Sequence, residues 1–209
     1  MFVRGFFDED DYERKSFDKV PLRILKEKSN NPMAKKVASW LTGAFDALEK
    51  RYLRKLKMVI YLDPEKPDHA YEVYSIKVSY PEGLPALDVD GLGQVKQLGQ
   101  VKRSTKDLLE TTLKLTQGLD PLPSTAYLNF RMEYYDEDTP ADYEPPGFER
   151  HPGKLVLREG TRSLRAGNVL TNFHSLGFNV KAKPGVAQSP DQLYLQMETS
   201  QGSIFHDVS

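Results

Sequence analysis

The side chains best suited to chemistry in this 209-residue chain are four histidines, one acidic run and a group of lysines and arginines. His69, His151, His174 and His206 are scattered, and none has a histidine or cysteine neighbour at metal-ligand spacing. Structural zinc needs four clustered nitrogen or sulfur ligands, so no zinc site is expected. Cysteine is absent, which excludes disulfides and thiol nucleophiles and suits a reducing compartment. Asp136, Glu137, Asp138, Asp142 and Glu144 have carboxylates that could hold a hard cation. Their spacing matches no EF-hand loop and Pro140 interrupts it. A solvated turn is the simpler reading, with a metal-dependent enzyme as the alternative. Gly91-Leu92-Gly93 precedes a helical pattern as the front of a phosphate-binding loop would, but the third glycine and a preceding parallel strand–helix unit are missing. Lys35, Lys36, Lys50, Arg51, Arg54, Lys55 and Lys57 offer a basic strip to nucleic-acid phosphates, although charged helix faces are commonly just solvated. No catalytic group stands out, and no cofactor is expected.

The elements that must position these residues follow from pattern. Hydrophobic residues make up 39% of the chain, enough for one globular domain with a core. The net charge of -1 gives no global field towards nucleic acid or membrane, so contact with DNA would pass through a local patch or a partner. Apolar runs fall far short of the ~20 residues that span a bilayer. Arg4 and the cluster Asp8–Asp11 break any leader-like start. A soluble intracellular protein without a membrane partner is expected.

A short strand is predicted over 20–25. Asn30-Asn31-Pro32 then starts a helix whose apolar stripe runs Val37, Trp40, Leu41, Ala44, Phe45, Leu48, Tyr52, Leu53 and Leu56. Gly43 is the one weak residue inside it. Residues 57–62 and 71–80 predict an antiparallel hairpin around the turn 63–68, with Tyr74, Ile76, Val78 and Tyr80 inward and Glu72, Ser75, Lys77 and Ser79 outward. A surface loop covers 81–93, a second helix runs from about 94 to 117, and Gly118 stops it. Residues 128–135 form a strand with Leu128, Phe130, Met132 and Tyr134 facing one way. An acidic, proline-rich irregular stretch follows over 136–153, then short strands at 155–157, 163–165 and 170–182. Residues 184–209 read as a tail. The order is α+β, with helices packed on one face of an antiparallel sheet.

Several stretches resemble the meiotic chromosome-axis HORMA domain family. They are Arg4-Gly5-Phe6-Phe7, Ile24-Leu25, Val37-Ala38-Ser39-Trp40-Leu41, Phe45 to Arg54, Ile60-Tyr61, Asp63 to Asp68, Tyr134 to Phe148, Asn172-Phe173-His174 and Gly177 to Val180. The most specific is Tyr134 to Phe148, whose opening Tyr-Tyr-Asp-Glu-Asp-Thr-Pro resembles the meiotic branch. The resemblance covers about residues 2–183, in order. Members begin with a long core helix, of which residues 2–7 resemble the last turn, so that helix is expected to be missing from the chain.

The resemblance implies a HORMA domain over 1–185 whose stretch from about 136 to 185 is a mobile safety belt, with a tail at 186–209. It implies an adaptor, not an enzyme, that binds closure-motif peptides of other axis proteins by strand addition. The receiving strand would be Leu128, Asn129, Phe130, Arg131, Met132, Glu133, Tyr134 and Tyr135. Belt residues would include Tyr143, Pro145, Pro146, Phe148, Phe173, His174 and Phe178. Implied roles are axis assembly, synapsis, recombination and checkpoint signalling on meiotic chromosomes in the nucleus, with nucleic acid met indirectly. The tail, with Leu193, Tyr194, Leu195, Ile204 and Phe205, could be a closure motif for another copy. A spindle-checkpoint or polymerase-subunit adaptor of the same fold is the alternative.

Overall fold

A computed structural model describes residues 1–80, 92–171 and 173–185, with side chains of the second helix described from residue 98 onward. The expected loop over most of 81–93, including Gly91, the tail 186–209 with its candidate closure motif, and Asn172 lie outside the described residues.

Two 3-10 turns, Phe2–Arg4 and Glu9–Asp11, lead into a hairpin of β1 (Tyr12–Phe17) and β2 (Val20–Leu25). β2 matches the expected strand. β1 had no legible pattern, because its middle residues Arg14, Lys15 and Ser16 are all exposed. Its turn is equally disguised: Asp18 and Lys19 both take positive φ (46° and 71°), the two-residue geometry that Asn-Gly would have announced.

Helix α1 (Pro32–Glu49) starts where the capping residues require. The Asn31 side chain accepts the Met33 N–H at 3.0 Å, and Pro32 takes the first helical position. It ends before the apolar stripe does. Arg51 turns left-handed at φ 63°, its N–H reaches the Leu48 carbonyl (3.0 Å), and the Tyr52 N–H reaches that of Ala47 (2.9 Å). These paired bonds are a Schellman stop. Leu53 and Leu56 therefore begin β3 (Leu53–Tyr61), not a last helical turn. Residues three apart in a regular strand face opposite sides. A register irregularity between Leu53 and Lys55 breaks that alternation, and both leucines are buried.

β3 pairs with β4 (His69–Ser79) as the expected hairpin; α2 (Leu92–Gln117), β5 (Tyr127–Tyr134), β6 (Val156–Leu157), β7 (Arg162–Leu170) and β8 (Ser175–Ala182) follow. The main sheet runs β5-β3-β4-β8-β7, each neighbour antiparallel, while β6 lies parallel to the start of β4. The strand expected over 170–182 is found as β8 but starts only at Ser175, because Thr171, Phe173 and His174 form a hairpin corner between β7 and β8. The Thr171 N–H donates to the His174 carbonyl at 3.0 Å, and its hydroxyl accepts the amides of Phe173 and His174. Ala34, Val37 and Trp40 of α1 and Leu115 of α2 pack against Ile60, Tyr74, Leu128 and Val180, so both helices cover one face. This is the α+β layering expected from the order of elements.

Glu72 corrects the expected alternation. It shares the inner face with Tyr74 and is 1% exposed. Arg4 grips it with two bonds, from Nη2 (2.6 Å) and Nε (3.1 Å), and the Tyr74 hydroxyl donates to it at 2.7 Å. Arg4 also donates to the Asp120 carbonyl, so the first turn is tied to β4 and to the end of α2. A buried carboxylate is tolerated only with this degree of pairing.

Candidate functional site

The site begins with backbone. Among the described strands β5 pairs only with β3, so one edge of it is free. The Tyr135 N–H donates to the Tyr52 carbonyl at 2.9 Å. With the antiparallel two-residue alternation, the main-chain groups of Glu133, Arg131 and Asn129 also face β3. Those of Leu128, Phe130, Met132 and Tyr134 point outward. The same four side chains face the helices, and Phe130 meets Trp40 at 5.5 Å between ring centroids. Phe130, Met132 and Tyr134 nevertheless stay half-exposed, whereas Ile60, Tyr74 and Val180 on inner strands are buried. The edge therefore presents both unpaired peptide groups and unfinished apolar surface.

The chain after β5 frames that edge. Thr139 closes a turn on the Tyr135 carbonyl. Tyr143 then reaches α1, its hydroxyl donating to Asp46 at 2.6 Å, while its ring meets Tyr52 (5.0 Å) and Tyr134 (5.5 Å) edge-on under Lys50. Next the segment touches α1 at Gly43, where a β-carbon would lie 2.3 Å from the Pro146 carbonyl and 3.1 Å from the Phe148 ring. Gly147 (φ 81°) passes Ser39 and Trp40. The segment comes in again at the β3–β4 turn. Asp68 Oδ1 accepts from Arg131 (2.6 Å) and meets His151 Nε2 at 2.8 Å. Arg131 also donates to the carbonyls of Pro67 (2.9 Å) and Gly153 (3.4 Å). A β-carbon on Gly153 would sit 2.3 Å from the Asp68 carboxylate, so only glycine passes there undisturbed. Leu155 then packs on Val59, Ala70 and Val73, and β6 joins β4.

Between β5 and this segment lies a cleft of about 1190 Å³, lined by Phe130, Met132, Tyr134, Tyr143, Pro145 and Phe148 among others. Several charged groups in it or beside it are held in place. Burial would push Glu133 up, but hydrogen bonds from Lys55 and Lys57 outweigh it and hold the carboxyl at about 2. Asp68 is held below the usual carboxylate range by its bonds from Arg131 and His151. Asp46 is lowered by Lys50 and Tyr143, while burial and Asp46 together raise the Tyr143 hydroxyl.

The expected strand residues thus converge: Leu128, Phe130, Met132 and Tyr134 on the inner face, Asn129, Arg131 and Glu133 on the outer, and Tyr135 just past the strand with its hydroxyl on the Val78 carbonyl. The expected belt residues separate. Tyr143, Pro145, Phe148 and Phe178 line the cleft, and Pro146 turns its carbonyl to Gly43. Phe173 and His174 sit in the β7–β8 turn and do not line it; Phe173 is 74% exposed. Asp46, Asp68, His151 and Gly153 were not foreseen, since their partners lie far off in sequence. Only Gly43 carried a signal, as the weak residue in a strong helix.

The basic strip divides. Lys35, Lys36 and Lys50 belong to α1 or its cap, whereas Arg54, Lys55 and Lys57 lie on β3 and meet Glu133. The helix stop at Arg51 separates the two groups. Among the described residues no three acids or histidines gather within metal-ligand reach. No helix among them is long and apolar enough to cross a membrane.

The HORMA domain family model matches residues 1–174, and the chain belongs to the HORMA domain family. It is similar to HORMA domain-containing protein 1 of Danio rerio, 39% identical over 184 residues that make up 86% of this chain and 51% of that protein. It is also similar to HORMA domain-containing protein 2 of Bos taurus, 35% identical over 86% of this chain and 60% of that protein. The chain thus spans about half to three-fifths of these relatives. In fold it matches C. elegans HTP-2 bound to a HIM-3 closure motif, with a TM-score of 0.75 and 21% identity over 88% of this chain and 83% of that one.

Proposed function

We propose that this chain is an adaptor of the meiotic chromosome axis, working in the nucleus on meiotic chromosomes and catalysing nothing. Short closure-motif peptides of axis partners add as a strand to β5, and the stretch from 136 to about 185 acts as a safety belt around them. The single observation that carries this reading is the free edge of β5 opening on a cleft that residues 136–155 frame. Four outward residues offer up to eight main-chain bonds, each worth about 1 kcal/mol net, while half-exposed Phe130, Met132 and Tyr134 offer apolar contact. The relatives named HORMA domain-containing protein and the fold's likeness to a closure-motif complex support it. Axis assembly, synapsis, recombination and checkpoint signalling are the roles this capture would serve. Release would wait for the belt to open, which lowers the off-rate.

The test isolates one backbone hydrogen. Met132→Pro removes an outward N–H on an edge strand, where proline is tolerated, and Met132→Ala removes the same packing while keeping the N–H. Pull-down from meiotic nuclear extract should recover axis proteins with wild type and the alanine variant and lose them with proline. Capture by the folded proline variant would overturn strand addition. A labelled peptide of residues 186–209 should bind a second copy if the tail is itself a closure motif; no binding at high micromolar concentration removes that partner.

A further inference from the structure

The face of the sheet that the helices leave bare is basic. The strand register lines up three rows across it, each read from β5 through β3, β4 and β8 to β7. They are Glu133-Lys55-Lys77-Gly177-Asn168, then Arg131-Lys57-Ser75-Asn179-Arg165, then Asn129-Val59-Val73-Lys181-Ser163. Six of these positions carry cations and one, Glu133, an acid, in a chain whose net charge is -1. Lys55 and Lys57 are engaged by Glu133, and Arg131 by Asp68. Lys77, Arg165 and Lys181 form no ion pair among the described residues, and the neighbouring Ser163 and Asn179 bond to each other at 2.9 Å. The apolar pair in these rows, Val59 and Val73, is already covered by Leu155. These rows therefore offer positive charge and hydrogen-bond donors but almost no free apolar area.

It is also continuous with the edge of β5. The cleft that Phe130 and Met132 line extends to Lys77, Arg165 and Lys181. Strands lie about 4.8 Å apart, so the path from β5 to β7 is about 19 Å, the reach of roughly six extended residues.

We infer that a captured peptide carries an acidic stretch beside its β5-pairing core, and that this stretch lies across the outer face on Lys77, Lys181 and Arg165. The inference rests on the capture reading above and adds to it a charge requirement on the partner. A polypeptide suits the face better than a nucleic-acid duplex. A duplex commonly engages about six to ten phosphates, whereas only three cations of this face lack an ion pair among the described residues, and the crossing at Leu155 narrows the approach.

The experiment pans a random 20-residue phage-displayed peptide library against the full chain and against a Lys77→Glu, Arg165→Glu, Lys181→Glu triple variant. Lys77 and Arg165 are exposed, and melting curves check that the fold survives; Lys77→Glu alone replaces the triple variant if that melts early. Wild type should select peptides with a shared apolar core and several acids on one flank, and the variant should keep the core and lose the acids. Neutralising the flank of a selected peptide should weaken its binding to wild type about tenfold at low salt and leave its binding to the variant unchanged. A shared core without acids, or acids selected equally by both proteins, overturns the inference and leaves capture standing. Failure of wild type to select any shared core overturns both. A 20-base-pair DNA duplex that binds wild type but not the variant, with no acidic flank selected, assigns the face to phosphates and overturns the inference.

Discussion

Gly43 answers to two opposed demands. Inside a helix, replacing glycine by alanine gains about 1 kcal/mol of backbone stability. Here the added carbon would meet the Pro146 carbonyl at 2.3 Å, and a backbone atom cannot turn aside as a flexible side chain does. Gly43→Ala should therefore keep α1 intact while pushing 143–148 away, and limited proteolysis should cut 141–153 faster than in wild type. Equal cleavage would mean that this close approach does not hold the segment. Glu133 gives a pH signature. Its folded carboxyl titrates at about 2 against an ordinary 4.5, so its stabilisation is complete above about pH 4.5 and is lost as pH falls towards 2. Glu133→Gln should flatten the fall in urea midpoint between pH 4.5 and 2, whereas an unchanged slope would assign the acid sensitivity to other carboxylates. Individual pairings like these were the least legible part of the chain. Nothing beside Asp46 in sequence points to Tyr143, 97 residues away, and Glu72 was set outward for its charge, against the alternation that pairs it with Tyr74, because its partner Arg4 lies 68 residues off.

At the scale of elements, patterns read well where one physical cause acts alone. Asn31 and Pro32 start α1, Gly118 follows the end of α2, and alternation places Leu128, Phe130, Met132 and Tyr134 together. Reading failed where two causes compete. The helical spacing of Leu53 and Leu56 is met by an irregular strand, and β1 forms through a disguised turn although its middle is wholly polar. The segment after β5 is anchored at two elements, by Tyr143 on α1 and by Arg131, Asp68 and His151 at the β3–β4 turn. If those anchors retain a captured peptide, Tyr143→Phe removes one hydrogen bond, about 0.5–1.5 kcal/mol. It should speed peptide release by roughly two- to twelvefold with a smaller change in association. An unchanged off-rate would place the retaining contact elsewhere.

At the scale of the molecule, layering and family were both legible, the first from the order of elements and the second from motifs such as 134–140. The path of residues 136–155 was not, because an irregular, proline-rich stretch has no period and its course is set by distant contacts. Arg4 with Glu72 is likewise a global tie, joining the first turn to the sheet. Arg4→Met would strand a buried carboxylate at a cost of about 3–5 kcal/mol; a melting temperature near that of wild type would show that Glu72 finds another partner. Capture of a partner peptide depends on the outward edge of β5. Hydrogen exchange of the full chain, with and without a peptide selected by it, tests that edge directly. Peptide should slow exchange in 127–134, at the outward amides of Leu128, Phe130, Met132 and Tyr134, and also across 136–157. Saturating peptide that leaves 127–134 exchanging at the free rate would contradict capture by strand addition.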